Sequence, residues 1–505
     1  MLKRLLLSFF ALAFLAPPHI FMSSANAAVA SVDYVHATIL ELKDVTVPVQ
    51  MLGGGTNYTI PVSLKYFMKQ IDKANEALNG TATTDYAGAL SSTESTNLVE
   101  VGRARADIEN LIEYLGPPPS FSIRLSSTSG NVSFSITAMG KFTVDWGDGS
   151  AIQTINKTNT TSVSYTHNYS LVGIYDIIIS GKATGYTTTT SLSSSAAISF
   201  VSSANKQYYT NITGSIGHVF PTLGDTVDKQ PRFYMAFYAC AGLTSLSSGL
   251  FDGVSGILPA NMFRQTFYGC TGLTSIPSGL FGDLSGTPGE YVFSQTFYGC
   301  NGLTGSIPSG LFGTLYGSPA PYMFNQTFHN CLGLTGSIPA VLFGTLSGEP
   351  APYMFSETFY NCIGLTGSIP SGLFGTLSGN PANYMFYCTF TTCRNLTGSI
   401  PAGLFGTLSG NPANYMFCNT FNGCRELTGI EGGIWDLTGL SNTNANYAFD
   451  SMFYGANKII TAPPTIAPGS SINLWDHFTV LNPGRPFAGC SGMIGYASIP
   501  AAWRN

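Results

Sequence analysis

Charge is what this chain has least of. Asp, Glu, Lys and Arg make up 9% of its 505 residues, against roughly 25% in an average soluble protein. Residues 291–348 contain none of the four, and the net charge is only −5. Nucleic-acid binding needs a dense basic patch, so that class is excluded. Long apolar runs are missing too. The run from Leu5 to Leu15 is too short to span a bilayer, and no later stretch is apolar enough, so the mature chain is expected to have no integral membrane segment. Catalytic signatures are also absent: there is no H-E-x-x-H, G-x-S-x-G or Walker loop. His36, His218 and His477 have no neighbours at ligand spacing, and no C-x-x-C pair occurs. The second half has too few carboxylates to seat a glycosidase pair. The expectation is a non-enzyme without metal or cofactor.

What is present begins with Lys3 and Arg4, the short apolar run, and a small-residue site, Ala25-Asn-Ala27. This reads as a secretory signal peptide over residues 1–27. The protein is then expected at the cell surface or outside the cell, with the periplasm as a further option. Residues 28–116 read as a helical region. Ser63 is placed to cap a helix carrying Leu64, Phe67, Met68, Ile71, Ala74 and Leu78, with Gly80 as its stop; a second runs through Val101, Ala104, Ile108, Leu111, Ile112 and Leu115. Between Pro61 and Gly116 lie 13 charged residues, more than in all of residues 236–430. Pro117-Pro-Pro119 then marks a stiff boundary.

Beyond it the pattern switches to period two. Phe142, Val144 and Trp146 alternate with polar residues, as do Tyr175, Ile177 and Ile179, which predicts an all-β sandwich over residues 117–202. Three blocks follow in order: Val144-Asp-Trp-Gly-Asp-Gly-Ser150, Tyr165-Thr-His-Asn-Tyr169 and Gly173-Ile-Tyr-Asp-Ile177. They resemble the signature of the PKD domain. That resemblance implies structural roles: Asp148 shaping a tight turn, and Trp146, His167, Tyr169 and Tyr175 bracing the sandwich. Asp145, Asp148 and His167 could also be read as a metal cluster, but a calcium loop needs more oxygen ligands than this segment offers.

The second half is repetitive. Cys240, Cys270, Cys300, Cys331, Cys362, Cys393 and Cys424 recur at spacings of 30, 30, 31, 31, 31 and 31, and Cys490 marks a decayed copy. The step to 31 is one inserted glycine before Ser-Ile-Pro. Such a period predicts a solenoid whose units bury their apolar faces only against each other. Residues 203–235 are assigned as its N-terminal cap and 236–505 as about nine units of 30–34 residues. Within the copy at 350–373, Met354, Phe355, Thr358, Phe359 and Cys362 fall at helical offsets, and Leu365-Thr-Gly-Ser-Ile-Pro370 reads as extended. One short helix and one strand per unit predicts an α/β leucine-rich-repeat solenoid, with a sheet about 40 Å long at roughly 4.8 Å per rung.

Phe297-Tyr-Gly-Cys300-Asn-Gly-Leu-Thr304 and Met452-Phe-Tyr-Gly455 resemble the core of BspA-like leucine-rich repeats of bacterial surface proteins. The period here is longer than is usual there, and the turns are poorer in Asp and Asn. The resemblance implies adhesion to host matrix, cells or glycans. Tyr268, Tyr298, His329 and Tyr360 vary in a fixed frame and are candidate ligand contacts, their rings able to stack on sugars or peptides. The alternatives are a self-assembling structural surface protein, or a polysaccharide-binding accessory to a partner hydrolase. The partner is expected to be an extracellular protein or carbohydrate.

All ten cysteines lie in the repeats, and eight share the marker position. Identical placement predicts a ladder of compact buried side chains. Cys388 and Cys418 stand outside that frame, and are the one pair nominated for a disulfide.

Overall fold

The computed structural model describes residues 46–49, 58–61 and 118–505, apart from 189–195, 283 and 444. The signal segment and the two helices read in residues 28–116 lie outside the described residues. The chain divides into two compact units, Met1–Pro118 and Pro119–Asn505. In the first unit, β1 (Thr46–Val49) pairs antiparallel with β2 (Tyr58–Pro61).

The second unit is mostly β. It opens with β3 (Ser120–Ile136), β4 (Met139–Asp145), β5 (Gln153–Lys157), β6 (Val163–Gly185), the two-residue β7 (Ile198–Ser199) and β8 (Tyr209–Gly214). Strands β5, β4, β6, β3 and β8 lie side by side in that order, all antiparallel. The period-two alternation sets which face is buried: Phe142, Val144, Ile177 and Ile179 are at most 1% exposed. Strand β8 then pairs in parallel with β9 (Ser245–Leu246). The antiparallel sheet is thus hydrogen-bonded directly to the first turn of the repeats, and one apolar core runs from Phe121 to Trp503.

The repeats wind into a β-solenoid. Its parallel sheet is built from β10 (Ser285–Gly286), β11 (Thr314–Gly317), β12 (Thr345–Gly348), β13 (Thr376–Gly379), β15 (Thr407–Gly410) and β17 (Asp436–Leu440), stacked in that order to make about five turns. The strand therefore lies in Thr-Leu-Ser-Gly, after the Leu-Phe pair, and not in Leu365–Pro370. That earlier stretch is a strand in β9, paired with β8, and in β14 (Gly398–Ile400), paired with β16 (Leu427–Ile430), with a further bridge between Gly367 and Leu396.

The expected helix is also corrected. Residues 351–362 form a ribbon of successive reverse turns, and an α-helical repeat is not what the sequence builds. Tyr353, Glu357 and Asn361 have φ of 55°, 55° and 59°, a left-handed conformation at every fourth residue that no α-helix tolerates. Alternate amides close the turns: Met354 N–H donates to Ala351 and Thr358 N–H to Phe355. The amides between them leave the rung altogether, with Phe355 donating to Met385 at 3.0 Å and Phe359 to Thr389 at 2.9 Å. Backbone groups must be paired somewhere, and here the next rung supplies half of the partners. Pro352 precedes Tyr353, and proline followed by a residue of positive φ is the pairing a type II turn favours. The apolar spacing is thus four, close enough to 3.6 to be taken for a helix.

Burial agrees with the sequence reading even though the element does not. Met354, Phe355, Thr358, Phe359 and Cys362 are all 0% exposed. Phe324, Phe355 and Phe386 stack with ring centroids 5.7 Å apart, and Phe328, Phe359 and Phe390 do so at 5.5–5.6 Å. Burying each such ring is worth about 1.5–3 kcal/mol. Threonine and cysteine complete the core by closing polar groups. Thr358 Oγ1 lies 2.9 Å from the carbonyls of both Phe324 and Phe355. The Cys362 thiol donates to Phe328 O at 3.0 Å, and Cys300, Cys331, Cys393 and Cys424 repeat the contact. Both ends of the stack are covered, by β8 at the start and by Trp503 against Phe449 and Phe487 at the finish. Trp503 belongs to α3 (Ala501–Arg504); α1 (Ile216–Val219) and α2 (Leu474–His477) are equally short. No described helix is long and apolar enough to cross a membrane.

Candidate binding surface

Because the turn ribbon repeats in register, every residue of the unit generates a column. Tyr238, Tyr268, Tyr298, His329 and Tyr360 form one, with centroids 4.5–4.7 Å apart and planes within 11° of parallel. Their faces lie against each other, leaving edges and polar tips toward solvent. Of the four candidate contacts, His329 is buried and the three tyrosines are half-buried. The ring faces are thus taken up by neighbouring rings, and edges and hydroxyls are what the column offers.

The ribbon carries a second column that the sequence reading did not single out. Tyr291, Tyr322, Tyr353, Tyr384 and Tyr415 stack at 4.5–4.7 Å, and Tyr447 continues them at 5.4 Å. Arg264 covers the first ring with its guanidinium carbon 4.5 Å from the Tyr291 centroid. The signal was present as a tyrosine directly before the Met-Phe or Val-Phe pair in five successive units, from Tyr291 to Tyr415; a helical frame gave no reason to separate it from the core. Burial raises the phenol pKa of Tyr268, Tyr291 and Tyr353, so these groups are hydrogen-bonding hydroxyls at neutral pH.

Between the tyrosine positions runs an amide column. Gln265 Nε2 donates to Gln295 Oε1 at 2.7 Å, Gln295 to Gln326 at 2.6 Å, and Gln326 to the Glu357 carboxylate at 3.0 Å. Glu357 Oε2 also lies 3.1 Å from His329 Nδ1. That approach lacks hydrogen-bond alignment, since Nδ1 has no such partner. The exchange of Tyr for His in one column and Gln for Glu in its neighbour falls on adjacent rungs, so the two substitutions answer each other.

The ring columns differ in spacing: the second tyrosine column repeats at 4.5 Å, the Phe324–Phe355 column at 5.7 Å, and Phe343–Phe374, across the core, at 6.1 Å.

The residues singled out in the antiparallel sheet come together on one another. Trp146 stacks on His167 at 4.9 Å, and Tyr169 on Tyr175 at 4.1 Å. His167 Nε2 is 2.7 Å from Asp148 Oδ2, and the Tyr169 hydroxyl donates to Trp146 O at 2.7 Å. Asp148 also accepts from Ser150 N–H. Hydrogen bonding from Ser150, with a further contribution from His167, holds the Asp148 carboxyl down at about 2. Asp145 accepts from Gly147 N–H, so both carboxylates are engaged in the turn. No cluster able to hold a metal ion occurs among the described residues. The Cys388 and Cys418 thiols are both free and buried.

Comparison with protein-family models, with curated proteins and with solved structures finds no match for the chain.

Proposed function

We propose that this protein is an exported, non-catalytic binding protein that holds an extracellular protein or carbohydrate on the turn ribbon of its solenoid. One observation carries the reading: two tyrosine columns and an amide column repeat in register along a nearly uncharged face. Such a face offers many weak, equivalent contacts, from phenol hydroxyls, ring edges and the free sides of amides. Affinity would accumulate along the array and depend little on salt. In this reading the repeats are distant kin of BspA-like leucine-rich repeats. The antiparallel sheet is PKD-like, supported by the Trp146, Asp148, His167, Tyr169 and Tyr175 cluster.

Self-assembly into a surface layer is the competing reading, and the covered ends argue against growth by adding rungs. The test is a combined glycan and extracellular-matrix array probed with the whole chain and with Tyr322→Ala/Tyr353→Ala. Saturable binding that the double substitution weakens at least tenfold supports the tyrosine-bearing ribbon. Binding left unchanged places the ligand elsewhere. Silence on the array, with concentration-dependent light scattering, favours assembly.

A further inference from the structure

The ten thiols are not equivalent. Eight of them, at Cys240, Cys270, Cys300, Cys331, Cys362, Cys393, Cys424 and Cys490, belong to the continuous apolar core. Cys388 and Cys418 do not, although they are only 6% and 2% exposed. They sit on the turn ribbon, at positions where earlier rungs carry polar residues. Cys388 takes the place of Gln326 and Glu357 in the amide column, and Cys418 that of Asn325 and Ser356 in the neighbouring one. The Cys388 amide donates to the Cys418 carbonyl at 2.9 Å. The two residues are therefore joined diagonally across adjacent rungs by one backbone hydrogen bond, a separation compatible with the Cα spacing a disulfide requires. Their side chains also feel each other: burial, Asp450 and a thiolate at Cys388 all raise Cys418. Their immediate contacts are polar, with Asn419 Nδ2 donating to Cys418 Sγ at 3.3 Å. The core thiols instead face phenylalanine carbonyls of the preceding rung.

We propose that Cys388 and Cys418 form a reversible disulfide that links two adjacent rungs of the turn ribbon, while the core thiols stay reduced. The oxidant is a small-molecule disulfide. Cys388, the more exposed of the two, attacks one of its sulfurs as the thiolate, giving a mixed disulfide and releasing one small thiol. The Cys418 thiolate then displaces the second small thiol from Cys388. The protein loses two protons and two electrons, and the small disulfide is reduced to two thiols. Burial pushes the Cys388 thiol up to about 11, so the first step should quicken with rising pH.

The experiment uses the full chain and oxidised glutathione. After incubation the protein is denatured, its free thiols are alkylated, and the intact mass and peptides are read. The expected result is two fewer alkylated thiols than in an untreated control, a peptide joining 388 to 418, and recovery of all ten on reduction. Cys388→Ser should abolish the link, with no glutathione retained on the core cysteines. Ten alkylated thiols after oxidation would overturn the proposal. So would a link through any core cysteine, or a stable glutathione adduct at Cys388 that never closes.

Discussion

A single carboxylate shows how local bonding becomes stability. Asp148 is held at about 2, below its ordinary 3.8, by hydrogen bonds from Ser150 and His167. A depressed carboxyl contributes stability in full above its unfolded pKa and loses it as pH falls through the folded value. The window is therefore between about pH 4 and pH 2. Asp148→Asn should be less stable than the parent in urea at pH 7, and the two should converge toward pH 2. Other acidic groups titrate in both proteins and cancel in the difference. A gap of equal size at both pH values would refute the assignment. These residues were legible in the sequence because a tight turn and its bracing aromatics occupy a short, ordered stretch. What the sequence did not disclose was that the carboxylate and imidazole meet at 2.7 Å.

At the scale of the element, the turn ribbon hangs on residues of positive φ. Tyr291, Tyr322, Tyr353, Tyr384 and Tyr415 all have φ of 55–57°. A non-glycine residue held there costs about 1–3 kcal/mol, which the surrounding stack offsets. A β-branched side chain is worse suited to the same conformation. Tyr353→Ile should therefore destabilise by about 1–3 kcal/mol, whereas Tyr353→Phe should cost much less; chemical denaturation of both variants gives the comparison. Similar losses for the two would mean that the phenol hydroxyl matters and the backbone does not. This element was the least legible. Apolar residues four apart satisfy a helix and a turn ribbon almost equally, and periodicity alone does not separate them. The decisive facts are the amides of Phe355 and Phe359, which bond to the next rung.

For the whole molecule, the 31-residue period is a register constraint. Deleting residues 350–380 removes one complete unit, so Phe, Thr and Cys on either side meet their equivalents again. Stability should drop while a single cooperative transition remains. Deleting 350–378 instead leaves two surplus residues in the turn, and should abolish that transition. Circular dichroism melts of both deletions decide; equal behaviour would show that the stack tolerates slippage. The six stacked strands keep one constant offset, with Tyr316 paired to Thr345 and Ser378 to Thr407, and shift register only between Thr407 and Ser409.

The sequence by itself determined the period and the buried set of the repeats. Each of these depends on which residue types recur and how often, and the cysteine and phenylalanine frames state that directly. Only the tertiary structure decided what the repeating element is, where its strand lies, and which tyrosines face solvent as a column. Those depend on where each backbone amide finds its acceptor. When that acceptor is on the next rung, about 30 residues away in the chain, no local pattern records it.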